Sequence, residues 1–511
     1  MAGLAERDLL HCVNILLVAD HGMANADPDK VIKLEQYVPE ISEFADVFFG
    51  AYGRIRLKNH EEDVLLNLTQ RLSCQLQGMR VFRLEDLPKR LHYSNNRRLD
   101  HLVLDLDPGY NVQDLRPNVS KRPPAKGQHG YDYYNAEMNG LFVGYGADLQ
   151  QGLQVEPFQN IELYNLMCIL ASVTPAPNNG SWGSLHHLLA DPPAPPESIK
   201  AVESPAASYT KDGADTPHNT TTGCAGDAGV IQEWMTLLEL TTSQQQLAEE
   251  IHLPWGVPVF TASENSSSPE LTLLHHITHV TGYSKALKVP LWTSFTLQEP
   301  PMETPATSWS SDPRLAPHDA ATCQDYLTVV NVTMTPLFPP SLAGTESHIS
   351  TSNTTWHHLP YLVSNSVGMS DQLAERWWQL VGEMIPGWWV SQGLLNVVLG
   401  PVYDADYDAL HDPIHTIGMP ALPTDMFAVV TRCADVVASL SFCPHQSLDS
   451  MAFIFPQSQP VVNCLAARRY AQMFSAKLHD VELVTGLTLF PNLISSDHLR
   501  LVLRIHSDLW E

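Results

Sequence analysis

The chain has 511 residues, with 29 Lys+Arg against 56 Asp+Glu for a formal charge of -27, and 44% hydrophobic and 17% charged residues. At roughly 100–200 residues per domain this is room for two to four domains with real cores. The hydrophobic fraction excludes a wholly disordered chain, and 28 glycines are too few for collagen. The acidic balance disfavours a nucleic-acid binder that works by neutralising phosphates, although a metal cation in an acidic setting can still hold one.

Eight cysteines are too sparse for a disulfide scaffold, but an even count suits a few staples between large domains. Asn-X-Ser/Thr sequons at Asn67, Asn118, Asn179, Asn219, Asn265, Asn331 and Asn353 point to an extracellular or lumenal chain. Glu6, Arg7 and Asp8 stand where an export signal carries an apolar run, so the natural N-terminus is expected to lie upstream of Met1. No run of about 18 apolar residues occurs, so no membrane-spanning helix is expected.

Along the chain, residues 1–190 read as α/β, opening with a nearly all-apolar strand over 13–19 of the kind buried at the centre of a sheet. From Asp191 a Pro-rich and then Ser/Thr-rich texture without apolar periodicity reads as a linker over 191–248. Structure resumes over 249–511. There Ser370 is placed to cap a helix carrying Leu373, Trp377, Leu380, Val381 and Met384 toward a core, and 394–399 follows as a strand. Residues 301–317 and 336–340 read as loops within this second unit.

Two constellations carry chemistry. In VADHGMA, Asp20 and His21 sit where the apolar strand ends at Gly22; adjacent strand side chains face opposite ways, so the pair reaches one ion only if the chain turns there. A carboxylate and an imidazole suit zinc, and the carboxyl ends of strands in α/β sheets are where ligands bind. In LGPVYDADYDALHD, Asp404, Asp406, Asp408 and Asp412, with the Leu410 carbonyl, fall at positions 1, 3, 5, 9 and 7 of a calcium loop. The match departs from an EF-hand twice: Ala409 takes the glycine position, and His415 stands where a bidentate Glu belongs. Crowded carboxylates repel, so calcium is expected to stabilise the second unit. His275, His276 and His279 lack thiols or a carboxylate at ligand spacing and read as a solvated face.

The segments VNILLVADHGMA, GAYGRIRL, LPKRLHYSNN, GQHGYD, FVGYGA, FQNIELYNLMC and PAPNNGSWGSLHHLL occur in the order and approximate spacing of the ectonucleotide pyrophosphatase/phosphodiesterases. Residues 9–189 resemble that family's catalytic domain. The resemblance implies an alkaline-phosphatase-like α/β fold holding two zinc ions, Asp20 and His21 on one and His129 of GQHGYD on the other, acting together on a phosphodiester or pyrophosphate. It also implies that the family's nucleophilic Thr and its remaining zinc ligands lie upstream of the DHG motif. The catalytic domain is thus expected to be its C-terminal part only, and the chain inactive as written because each zinc needs about four donors.

TGYSKALKVPLWTSFTL, LLNVVLGPVYDADYD and HDVELVTGLTLF resemble the family's C-terminal α+β domain, which is related to DNA/RNA non-specific endonucleases. KALKVPLW stands where those nucleases carry Asp-Arg-Gly-His, so the domain is expected to be a non-catalytic brace whose acidic loop binds calcium. The same resemblance implies disulfides Cys74–Cys464 between domains and Cys433–Cys443 within a loop, and an absent partner for Cys12; Cys168, Cys224 and Cys323 stay unassigned. The reading is therefore an extracellular, monomeric, zinc-dependent hydrolase of phosphodiester or pyrophosphate bonds of nucleotides or lysophospholipids, with calcium as a structural ion of the second unit. The alternatives are a non-enzymatic, calcium-stabilised secreted protein and a non-specific nuclease.

Overall fold

The computed structural model describes residues 2–116, 126–193, 238–260, 270–298, 308–343, 356–458, 464–493 and 501–511, apart from positions 77, 328, 330, 413, 415–419, 502 and 505–507. The first unit opens on β1 (Ile15–Val18) and continues through β2 (Ala45–Phe48), β3 (Tyr52–Leu57), α1 (Glu62–Leu72), β4 (Met79–Arg83) and β5 (Leu102–Leu106). The last four strands form one sheet in the order β2-β3-β5-β4, antiparallel throughout. α1 buries Leu65, Leu68 and Leu72 on the sheet side, and Glu62 and Asp63 near its N-terminus with Arg71 near its C-terminus complement the helix dipole.

β1 departs from expectation. It pairs only with β6 (Phe142–Tyr145), in a two-stranded antiparallel ladder. One face packs, with Leu16 and Phe142 against the cluster of Leu149, Leu166 and Leu188 that includes α2 (Leu163–Leu170). The other face is open, with Leu17 57% and Val143 46% exposed, and even on the packed face Val18 at the strand's end is 49% exposed. A near-continuous apolar strand signals burial on two faces, and among the described residues only one is covered.

Residues 194–237 of the expected linker lie outside the described residues. Order begins earlier than expected, since Leu238 is buried with Leu359 and Leu362, and Thr241 caps α3 (Thr242–His252) in a reciprocal box with Gln244.

The second unit is a seven-stranded antiparallel sheet whose strands lie side by side in chain order. They are β7 (Thr272–His275), β8 (Val280–Ser284), β9 (Val289–Leu297), β10 (Leu395–Val402), β11 (Asp425–Cys433), β12 (Leu448–Pro456) and β13 (Ser475–Ala476). Between β9 and β10 run α4 (Asp371–Trp378), a π-helical turn over Gln379–Met384 and α5 (Ile385–Gln392). Ser370 caps α4 through Leu373 N–H, and Leu373, Trp377, Leu380 and Val381 are buried as their spacing predicts. The alternation of strand side chains builds two cores: Val397, Leu399, Ala428, Val430 and Phe453 face α4 and α5, while Val398, Phe427, Val429 and Ile454 face α6 (Leu478–Thr485).

The core on the α4 side does not stop at the unit boundary, because Phe82, Leu87 and Val103 of the first unit are part of it. Disulfide Cys74–Cys464 closes the same boundary with Cα atoms 5.8 Å apart, and Cys433–Cys443 closes a local loop at 5.7 Å. Cys323 is also disulfide-bonded, whereas Cys12 (exposed) and Cys168 (buried) are free. No helix among the described residues is long and apolar enough to cross a membrane.

The chain terminus is tied into this core. Trp510 Nε1–H donates to Asp449 at 3.1 Å, the Arg432 guanidinium lies 4.4 Å over its ring, and its carbonyl accepts from Trp388 Nε1 at 3.0 Å. Trp510→Ala empties this buried slot and is expected to lose about 3–5 kcal/mol of stability, checked by urea unfolding followed through tryptophan-free far-UV circular dichroism. A loss below about 1 kcal/mol would mean that the tail is merely lying on the surface.

Candidate functional site

Asp20 and His21 follow β1 directly. The Asp20 side chain is 86% exposed; its Oδ1 accepts from the His21 backbone N–H at 3.1 Å, and its Oδ2 lies 3.4 Å from His21 Nε2. His21 Nδ1 is 2.7 Å from the Gly22 carbonyl, so Nδ1 carries the proton and Nε2 presents its lone pair on the side of the Asp20 carboxylate. That is the arrangement in which a carbonyl orients a metal-binding imidazole.

Gly22 does more than let the chain turn. Its decisive property is the lack of a side chain: a Cβ there would lie 1.9 Å from the Glu137 carbonyl oxygen, and the Gly22 N–H donates to Met138 O at 2.8 Å. The chain at 24–25 then pairs with 127–128, Ala24 opposite Gln128, and this ladder sets His129 beside His21. The two imidazoles stack at 3.8 Å with planes 16° apart. Gly130, at φ +98°, makes the reversal that follows. Asp20, His21 and His129, distant in sequence, are therefore neighbours. Their donor atoms do not converge on one point as three groups, as residues assigned to two different ions would not.

The rest of GQHGYD does something else. Asp132 binds both terminal nitrogens of Arg90, which is buried beneath the rings of Tyr133 and Tyr134 and also donates to the Met473 carbonyl of the second unit. Arg90 and its neighbour Lys89, both in LPKRLHY, received no role from the sequence; two adjacent cations in an apolar setting were the available sign. Lys89 Nζ donates to Asp404 Oδ2 at 2.6 Å and lies 3.7 Å from Asp425, with all three side chains buried. Burial works against the Lys89 ammonium, but Asp425 and Asp404 outweigh it and hold its pKa above the ordinary lysine value. Burial pushes Asp425 up to about 6 against the pull of Lys89.

Asp404 is the first residue of the acidic loop. Its Oδ1 accepts from Asp408 N–H at 3.1 Å and its Oδ2 from Ala409 N–H at 3.1 Å; Asp412 Oδ2 accepts from Ala405 N–H at 2.7 Å. Tyr407 and Ala409 both adopt left-handed φ, +62° and +64°, so Ala409 takes the conformation for which such loops normally use glycine. Asp404, Asp406 and Asp412 bring carboxylate oxygens within 4.8 Å of one another, among the described residues the one set of three donors that do so. Asp408 is outside that set and bonds Leu410 N–H at 2.8 Å; Leu410 itself is 47% exposed. Burial first, then Asp406, Asp404 and Asp412, raises the Asp408 pKa, the sign of uncompensated like charge. His415 lies outside the described residues.

The histidines of the second unit do not form a solvated face. His276 and His279 are 2% and 0% exposed, because the β7–β8 turn tucks under the segment around Arg314 and Phe338; His275 is bound by Glu249 at 2.6 Å.

Residues 1–132 match the protein-family model described as "Type I phosphodiesterase / nucleotide pyrophosphatase". The chain is 31% identical over 520 residues to ectonucleotide pyrophosphatase/phosphodiesterase family member 3 of Bos taurus, covering 96% of this chain and 57% of that protein. It is 30% identical to the venom phosphodiesterase of Naja atra and 29% identical to ectonucleotide pyrophosphatase/phosphodiesterase family member 1 of Homo sapiens, again over 96% of this chain and over 60% and 54% of theirs. These are hydrolases of phosphodiester bonds. The similarity runs through both units, and the chain spans little more than half the length of these relatives.

If the close approach at Gly22 is what seats His21 against His129, Gly22→Ala is expected to weaken the binding of added zinc at these residues about 10-fold or more, as loss of a ligand's supporting contacts does, and to lower the melting temperature, because the backbone at Glu137 must move to admit the Cβ. Isothermal titration with zinc and a melting curve check this; unchanged affinity would detach the glycine from the site.

Proposed function

We propose that the chain is, or is part of, an extracellular metal-dependent phosphodiesterase/nucleotide pyrophosphatase. Asp20, His21 and His129 supply part of a two-zinc site, and the second unit serves as a non-catalytic, endonuclease-like brace that carries calcium. The observation that carries the reading is the stacked His21–His129 pair next to Asp20, formed from the two motifs that match the phosphodiesterases. Zinc, when bound, polarises the phosphoryl oxygens and stabilises the attacking and leaving oxygens.

The chain's own residues prepare that chemistry. His21 offers Nε2 because Nδ1–H is held by the Gly22 carbonyl, Asp20 stands exposed with a free carboxylate edge, and His129 closes the other side of the pair. Exposure of Asp20 leaves room for a phosphate and for further donors. Three donors shared by two ions fall short of the roughly four that each requires, so residues 1–511 alone are expected to hold zinc weakly and to hydrolyse nucleotide esters at background. The substrate class is an ester of a nucleotide or of a lysophospholipid. The sequons Asn67, Asn179 and Asn331 present exposed asparagines, which supports an extracellular setting, as do the "ecto" and "venom" of the relatives' names. Non-enzymatic calcium-stabilised and nuclease readings have less support, because the DHG and GQHGYD motifs meet in space and no nuclease motif occurs at KALKVPLW.

Equilibrium dialysis of the chain with a nucleoside monophosphate, with and without zinc, tests the hydrolase site directly. Binding that needs zinc and falls at least 10-fold in His21→Ala is expected; zinc-independent or absent binding would remove the proposal, and zinc-dependent turnover by the chain would remove the expectation of inactivity.

The acidic loop fits calcium by its donors: three gathered carboxylates, oxygen-only chemistry and a left-handed Ala409. Calcium at 100 times its Kd should add about 2.7 kcal/mol of stability. Lys89→Met should cost about 3–5 kcal/mol in chelator, where Asp404 is left buried without a counter-ion, and distinctly less in excess calcium. Melting of both proteins in the two conditions decides it, and equal melting temperatures for the parent chain with and without calcium would refute the site.

A further inference from the structure

The β7–β8 turn carries a ring stack that the hydrolase reading does not use. His276 and His279 lie parallel at 4.1 Å, and His279 lies parallel to Phe338 at 4.3 Å. His276 Nε2 accepts from Arg314 Nη2 at 2.9 Å, and Arg314 also donates to the His275 carbonyl at 2.9 Å and forks onto Asp312. The stack thus joins three separated stretches of chain: the β7–β8 hairpin, the 310–315 segment and Phe338.

Both rings are held in the neutral form by geometry. A proton on His276 Nε2 must displace the guanidinium that already donates there, and its Nδ1 has no partner. His279 Nδ1 shares a hydrogen bond with Thr278 Oγ1 at 2.9 Å, and its Nε2 is buried with no partner. The charged and titratable groups facing the pair are Arg314 and Asp312 from the 310–315 segment, His252 from α3, and His275, which Glu249 of α3 binds. Asp312 is taken up by Arg314 and Ser364. His252 is itself neutral in place, its Nε2–H donating to the Ile277 carbonyl at 2.7 Å and its Nδ1 accepting from Thr296 N–H at 3.1 Å. Among the described residues, no carboxylate bonds either ring of the stack, so a positive charge on either meets Arg314 and no counter-ion.

We propose that the His276–His279–Phe338 stack is an acid-sensitive latch, which holds the 310–315 segment and Phe338 against the β7–β8 hairpin while both imidazoles are neutral and releases them when the rings take up protons. Burial, then the partner imidazole or His252, then Arg314, sets both rings well below the ordinary histidine range while the latch is shut. The sign follows: the open form binds more protons, so closure is complete above pH of about 6.5 and is lost as pH falls below it. At pH about 4.5 an exposed imidazole is protonated about 100-fold over neutral, so two rings shift the balance toward opening by about 10⁴-fold. β10, β11 and β12 carry none of these rings, so the opening is local.

Hydrogen exchange with mass spectrometry on the whole chain at pH 7.5 and 4.5, corrected for the intrinsic pH dependence of exchange, measures this. Peptides spanning 270–284 and 308–315 are expected to lose protection by up to about 10⁴-fold, with those of β10–β12 changing by less than about 10-fold. His279→Phe keeps an aromatic in the stack but removes one titrating ring, and should reduce the acid effect to about 100-fold. His276→Gln, whose amide oxygen can still accept from Arg314, should do the same and serves if the first variant does not fold. Acid exposure that is identical in parent and variants, or that spreads evenly across β10–β12, overturns the latch. So does a nuclear magnetic resonance titration of the parent chain in which both rings protonate near the ordinary histidine value while the hairpin stays protected.

Discussion

One buried ammonium decides how the two halves of this protein meet. Lys89 leaves the first unit on a short 3₁₀ turn and places its charge on Asp404, and close to Asp425, of the second. A lone ion taken out of water costs several kcal/mol, and a close, hydrogen-bonded partner is what makes burial tolerable. Lys89 is therefore committed to the loop and the loop to Lys89. The neighbouring contacts fall into line around that commitment: Arg90 reaches the Met473 carbonyl, His92 meets Asp480, Ser458 donates to Asp86 and Arg469 pairs with Asp107. The apolar side chains Phe82, Leu87 and Val103 seal this polar seam into a common core, and Cys74–Cys464 fixes its length.

The acidic loop is thus a structural node before it is a metal site. Four carboxylates are offset locally by one ammonium, and at an effective dielectric of about 20 two like charges 4 Å apart repel by about 4 kcal/mol. The backbone N–H groups that Asp404, Asp408 and Asp412 accept relieve part of that repulsion and pre-shape the loop. A divalent cation would relieve the remainder, and because Asp404 is shared with Lys89, whatever binds the loop also stiffens the seam between the units. The Asp20–His21–His129 group stands in contrast. It is exposed at Asp20, and among the described residues its donors do not gather as a set of three.

How much of this was legible in the sequence depends on whether the relevant constraint is local. Ser370 as a helix cap and the Leu373–Trp377–Leu380 spacing are local patterns and are found in place, while of the alternate-residue ladder of aspartates Asp404, Asp406 and Asp412 gather and Asp408 does not. The meeting of Asp20, His21 and His129 was legible only through resemblance, because it depends on a two-residue ladder between 24–25 and 127–128 that no periodicity signals. β1 misled because composition reports how a strand would prefer to be packed, not what covers it. The histidines misled for the opposite reason. His-His-Ile-Thr-His looks polar, and only the tertiary context, with Arg314 and Phe338 arriving from other segments, takes the rings out of water as neutral groups.

Lys89 and Arg90 were the largest omission. Arginine and lysine are rarely fully buried unless paired, and a sequence gives no hint that Asp404, 315 residues on, will be delivered to Lys89, or Asp132 and the Met473 carbonyl, 42 and 383 residues on, to Arg90. Their burial nevertheless explains features that were legible but lacked a reason. Asp132 of GQHGYD holds Arg90, so that motif combines His129, which faces the candidate zinc site, with a residue that faces the domain seam three positions later. Met473, Arg90 and Asp132 thus form a continuous hydrogen-bonded path from the second unit to the segment that carries His129. The Arg90–Asp132 pair, bidentate and buried, is the rigid link in that path.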